Sequence, residues 1–177
     1  MAAAPPALAE TPVDEPPEIP RLDQLFDDLK RERNEASAER IANFIREEWL
    51  RSGSATIDLM MQWSGKAMSE KRYEVALDFL DQVVVLSPEF AEGWNRRATV
   101  HYMMGSYAKS MADIEHTLRL EPRHFGALSG MAAIFKTYEM KEPALETFKR
   151  VLDVYPMLRS AQEEVADLAE ELAGEGI

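Results

Sequence analysis

The chain has 177 residues, 46 % apolar and 29 % charged, which suffices for one packed domain or a short array of stacked units. Thirty-two Asp and Glu against twenty Lys and Arg give a net charge of −12, which argues against a nucleic-acid backbone or an anionic membrane as the main partner. Cysteine is absent and no run approaches 18 uncharged apolar residues, which excludes disulfides, thiolate metal sites, a Cys nucleophile and a helical membrane span.

Residues 1–21 open the chain with an Ala/Pro-rich acidic tail that has six prolines and no aromatic residue. Such a composition buries too little surface to offset ordering, so disorder is expected. Within it, "ALAE" has the small-x-small form of a leader cleavage site, without the basic start and apolar stretch that should precede one. Two expectations stand side by side: a periplasmic or exported protein if this is a trimmed signal-peptide remnant, and a cytoplasmic one otherwise. Residues 22–53 read as an amino-terminal helical pair.

From residue 57 onward a repeat governs the sequence. Pro88, Pro122 and Pro156 are spaced 34 residues apart, and six other columns align with them. Small residues stand at Ala76, Ser110 and Ala144, and again at Ser64, Ala98 and Ala132. Large apolar residues stand at Leu80, Ile114 and Phe148, with Met60, Trp94 and Leu128 opening each unit. Val83, Thr117 and Val151 form one further column; Leu86, Leu120 and Val154 form the last. Each unit carries two apolar stripes at helical spacing, as in "AEGWNRRATVHYMM" followed by "YAKSMADIEHTLRL". Between these two, Gly105 suits the left-handed residue that ends a helix, and the next proline stops the second helix by forcing its predecessor out of helical geometry. Pro143 falls in the opening turn of a helix, where a missing N–H costs little. The small columns mark where paired helices approach closely. On the same register Ala42 and Trp49 precede Ala76 and Val83 by one period, so residues 22–53 read as a degenerate fourth unit, with Ser54 in place of proline and Arg46 in place of the large apolar residue. Residues 157–177 keep Leu158, Ala161, Val165, Leu168 and Leu172 on one face and acidic residues on the other, as a helix capping the last repeat would.

A 34-residue unit with Trp, a small residue, an aromatic, a second small residue, a large apolar residue and Pro in this order resembles the tetratricopeptide repeat (TPR). The resemblance covers residues 57–156 as three units, 57–90, 91–124 and 125–156. It implies an all-α, right-handed α–α superhelix of helix-turn-helix units whose first helices line a concave groove. The structural positions are then Ala76, Pro88, Trp94, Ala98, Ser110, Pro122, Ala144 and Pro156. At the groove-facing second, fifth, ninth and twelfth positions stand Asp58, Met61, Gly65 and Met68; Glu92, Asn95, Thr99 and Tyr102; and Gly126, Ser129, Ala133 and Lys136. Asn95, Thr99, Tyr102, Ser129 and Lys136 suit a peptide backbone or carboxylate, while Met61 and Met68 suit adaptable apolar contact. TPR arrays that grip the carboxylate tails of heat-shock chaperones use a Lys and an Asn where this chain has Met61 and Gly65, which counts against that subtype.

Two arginines break the pattern. Arg97 faces the partner helix where Leu is usual, so it is either paired, with Asp113 the candidate, or packs its stem while its head reaches water, and a structural ion pair is favoured over a binding role; Arg96 lies nearer the groove edge and is the better ligand residue. His101, His116 and His124 have no metal-ligand spacing, and His101 falls at an aromatic packing position. No nucleophile elbow or Gly-rich phosphate loop is present, so no metal, cofactor or catalytic residue is expected. The sequence therefore reads as a non-enzymatic adaptor or scaffold binding a protein or peptide in its groove. The alternatives are a self-associating structural subunit, a homo-oligomer built through the stack or the acidic helix, and a helical-repeat RNA reader, against which the period, the terminal proline and the acidity all count.

Overall fold

The computed structural model describes residues 21–175, so the tail over 1–20 and the leader expectation lie outside the described residues. These form nine helices: α1 (Arg21–Arg31), α2 (Glu35–Trp49), α3 (Ala55–Ser69), α4 (Tyr73–Leu86), α5 (Ala91–Met103), α6 (Tyr107–Leu120), α7 (Phe125–Thr137), α8 (Lys141–Val154) and α9 (Arg159–Glu175). Helices α3–α4, α5–α6 and α7–α8 are three antiparallel pairs stacked in chain order, with α9 on α8.

The aligned columns explain the stacking. Ala76, Ala144, Ser64 and Ala132 have no exposed surface, Ala98 and Ser110 almost none, and Ser110 Oγ donates to the Ala98 carbonyl at 2.8 Å across its helix pair. Leu80, Ile114 and Phe148 fill the space beside them, with Val83, Thr117 and Val151 fully buried. The residues before the three prolines, Ser87, Glu121 and Tyr155, lie outside helical geometry at φ −138, −137 and −128, as a following proline favours. The turn inside each pair passes through one left-handed residue: Gly105 at φ 72, and Lys71 and Glu139 at φ 57 in the flanking units. Only the middle unit uses glycine there.

The amino-terminal pair takes a different place from that of a fourth unit in register. Nothing comparable to the packing of α4 on α5 or α6 on α7 joins α2 to α3; instead α1 packs on α8. Phe26, Leu29, Ala38, Ala42, Ile45 and Trp49 share one core with Phe125, Leu128, Phe148, Val151 and Tyr155 of the third unit and with Ala161 and Leu168 of α9. Helix α2 runs along the turns between repeats: near its start Glu39 accepts a hydrogen bond from the Tyr155 hydroxyl at 2.7 Å, and at its end Trp49 stacks on His124 at 3.9 Å. Arg123, in the turn between α6 and α7, lies 4.1 Å over the ring of Phe26 in α1 and donates to Asp23 of the same helix at 2.7 Å. The physical reason lies in three positions. Lys30 falls on a small-residue column, Arg46 on a large apolar one, and Trp49 on the Val83 column, so a close stack before α3 would bury two charges and overfill the third site.

Candidate protein-binding groove

The first helices α3, α5 and α7 lie side by side along one face. Arg96 of α5 joins the first two, its Nη1 donating to the Met61 carbonyl at 3.0 Å. Glu92 joins the second and third. Its carboxylate accepts from Asn95 Nδ2 at 3.0 Å and lies 3.1 Å from His124 Nε2 and 3.5 Å from Arg96 Nη2. His124 Nδ1 accepts the Ala127 amide as the cap of α7, so the ring proton resides on Nε2 and is donated to Glu92.

Farther along, Asn95, Thr99 and Tyr102 of α5 face Gly126, Gly130 and Ala133 of α7 across a cleft of about 150 Å³, floored by Ala98, Ser110 and Ile114. The α7 wall consists of small residues, and a Cβ on Gly130 would come within 3.3 Å of Ile114 Cδ1. Thr99 Oγ1 is turned onto its own helix, donating to the Asn95 carbonyl at 3.0 Å. Tyr102 is 36 % exposed and packs at a tilt against Tyr107, 5.4 Å between centroids.

Several residues expected to line the groove are elsewhere. Met61 is 3 % exposed and belongs to the core of the first unit with Ile57, Leu80 and Val83; Met68 packs on the same cluster. Met61 therefore offers a partner almost no side-chain surface: it lies on the buried stripe of α3 with Ile57 and Ser64. Ser129 Oγ donates to the Phe125 carbonyl within its own helix. Lys136 is drawn to Glu164 of α9, beside an acidic hollow that includes Glu142, Asp167 and Glu171. Asp58 accepts from the Ser52 amide and hydroxyl at the entry to α3.

The sequence missed the far end of α2. Arg46, Trp49 and Leu50 meet Glu92, Asn95 and Arg96 around a hollow of about 230 Å³, so one wall of the groove mouth comes from outside the three repeats. Charges at the columns of Lys30 and Arg46 were the signal that this pair does not stack in register. Arg97 was legible. Its Nε and Nη2 donate to Asp113 at 2.8 and 2.7 Å, its Nη1 to Asp81 of the preceding unit at 3.0 Å, and its guanidinium lies 4.9 Å over Trp94.

No family model matches the chain. A TPR repeat-containing protein of Rhizobium etli is 60 % identical over 154 residues, covering 87 % of this chain and 76 % of the relative. The chain belongs to the tetratricopeptide repeat family. Among solved structures, the first TPR of Spaghetti (RPAP3) bound to the HSP90 peptide SRMEEVD matches this TPR chain at a TM-score of 0.64 and 20 % identity, covering 68 % of this chain and 95 % of that one. The TPR2B domain of yeast Sti1 in complex with pHsp70 matches at 0.61 and 16 %, covering 67 % and 99 %. At these identities the likeness is one of fold: an all-α helical-repeat solenoid. Such solenoids present extended surfaces for protein interaction. Among the described residues no helix is long and apolar enough to cross a membrane.

Proposed function

We propose that this TPR chain is a non-enzymatic adaptor that holds an extended segment of a partner protein in the groove of α3, α5 and α7. The observation that supports it is the cleft between Asn95, Thr99 and Tyr102 on one wall and Gly126, Gly130 and Ala133 on the other. The small wall lets a partner backbone approach closely, the 150 Å³ recess holds one side chain, and Tyr102 supplies a rigid amphipathic contact. Three cations near the groove are engaged, Arg96 by Glu92 and the Met61 carbonyl, Lys136 by Glu164 and Arg46 by Glu39. The segment that fits is hydrogen-bonding and apolar; a carboxylate tail would have to displace these pairs. The test is a cross-linked pull-down from the native cell, wild type beside Asn95→Ala/Tyr102→Ala. A protein recovered by wild type and lost or strongly depleted with the double variant supports the groove; equal recoveries defeat it.

A further inference from the structure

The two ends of the stack are finished differently. In the second and third units, the residues that meet the preceding unit are covered: Gly93 and Ala127, Val100 and Ile134 are all buried. Their counterparts one period earlier, Leu59 and Lys66, are exposed. Trp63 corresponds to Arg97 and Phe79 to Asp113, so an aromatic pair, 5.3 Å between centroids, replaces the ion pair. Arg97 is completed by Asp81 of the unit before it, whereas Trp63, 46 % exposed, has no unit before it because α1 and α2 pack on the third. What remains among the described residues is an open stacking surface with a hollow of about 310 Å³ beside Trp63, Val75 and Phe79, and with Lys66 and the Arg72–Glu70 ion pair, 2.9 Å, at its rim. A solenoid end ordinarily carries a polar outer face, and large exposed apolar surface marks an interaction site.

The opposite end supplies the complement. Helix α9 buries Ala161 and Leu168 against α8 and turns a stripe of Gln162, Ala166, Ala169 and Ala173 outward. Beside that stripe Glu170 is exposed and makes no ion pair among the described residues, and neither does Lys66; Asp167 lies on the other flank of α9, in the hollow with Lys136 and Glu171. We infer that the open face of α3 and α4 receives helix α9 of a second copy of this chain, so that the protein associates head to tail. The alanine stripe admits the bulk of Trp63 and Phe79, and Lys66 meets Glu170. A joint between two different faces leaves each copy with one free face, so copies add head to tail, as an open chain unless the rotation between them closes a ring, and exposed charge at the rim makes the joint salt-sensitive.

Sedimentation velocity over a wide range of protein concentration, at low and high salt, reads this directly. Wild type gains mass with concentration at low salt and loses that gain at high salt. Trp63→Glu, which spoils the receiving face, and Ala166→Glu/Glu170→Lys, which spoils the inserted helix, each stay at the mass of one chain. Mixed together they form a complex of one copy of each, since each retains the face the other lacks. Lys66→Glu replaces Trp63→Glu should the latter lose its helical circular dichroism. A wild type that stays monomeric throughout, variants that still associate, or a mixture that forms no complex overturns the proposal. Asn95→Ala/Tyr102→Ala leaves the association intact, which separates this joint from the groove.

Discussion

Arg97 stands at a position that ordinarily takes leucine, and its surroundings explain how it is tolerated. Its side chain is 19 % exposed and that of Asp113 only 6 %, so both charges are taken largely out of water and are held by paired hydrogen bonds. The Asp113 bonds raise the guanidinium's proton affinity further, against burial. Removing one partner leaves the other uncompensated, so Asp113→Ala is expected to cost about 3–5 kcal/mol in urea unfolding, while Arg97→Met/Asp113→Leu loses much less. His101, 9 % exposed and 3.9 Å from Asp113, reports on the same site. Burial disfavours its charged form and holds its pKa below the usual 6.5, outweighing the pull of Asp113. The unfolded chain therefore takes up this proton first. The stability from neutral His101 is complete above pH 6.5 and is lost as pH falls below it toward the lower folded value. Denaturant titrations between pH 7 and pH 5 should show a shallower loss for His101→Phe than for wild type; equal slopes would assign the loss to other groups.

At the scale of elements, the repeats follow from columns and the amino-terminal pair follows from their violation. Alternating small and large positions and the break before each proline were legible because each is a local rule that a 34-residue period displays three times; Gly105 showed the left-handed turn in the middle unit alone, where Lys71 and Glu139 give no such sign in the others. The docking of α1 and α2 was not. It depends on Trp49 finding His124 and Phe125, and Tyr155 finding Glu39, partners more than 70 residues distant with no spacing to announce them. Lys30 and Arg46 forbade the expected position without naming the alternative. Glu39 nonetheless carries the mark of its contact, since the Tyr155 hydroxyl holds its pKa below the usual 4.5. If Trp49 is the pin of this arrangement, Trp49→Ala should destabilise the chain by about 3–5 kcal/mol. Hydrogen exchange should then accelerate in α1, α2 and the start of α7 while α3 and α4 stay protected. Uniform acceleration would show that the pair is not a separable element.

For the whole molecule, the candidate site divides along the same line. Asn95, Thr99 and Tyr102 face one cleft because they share a helix stripe, which periodicity shows. The inward turn of Met61 and the capture of Lys136 by α9 depend on packing between units and on the cap, which periodicity does not show. The result is a solenoid whose third unit is buttressed by α1, α2 and α9, whose first unit is open at its outer face, and whose groove passes between them. The measurement that tests the groove most directly is site-specific photo-cross-linking in the native cell, with the photoreactive residue at Tyr102 in the cleft or at Glu115 on the exposed side of α6. The account predicts a partner protein joined through position 102 and not through 115. Cross-links from 115 with none from 102 would contradict it and move the interaction to the convex side.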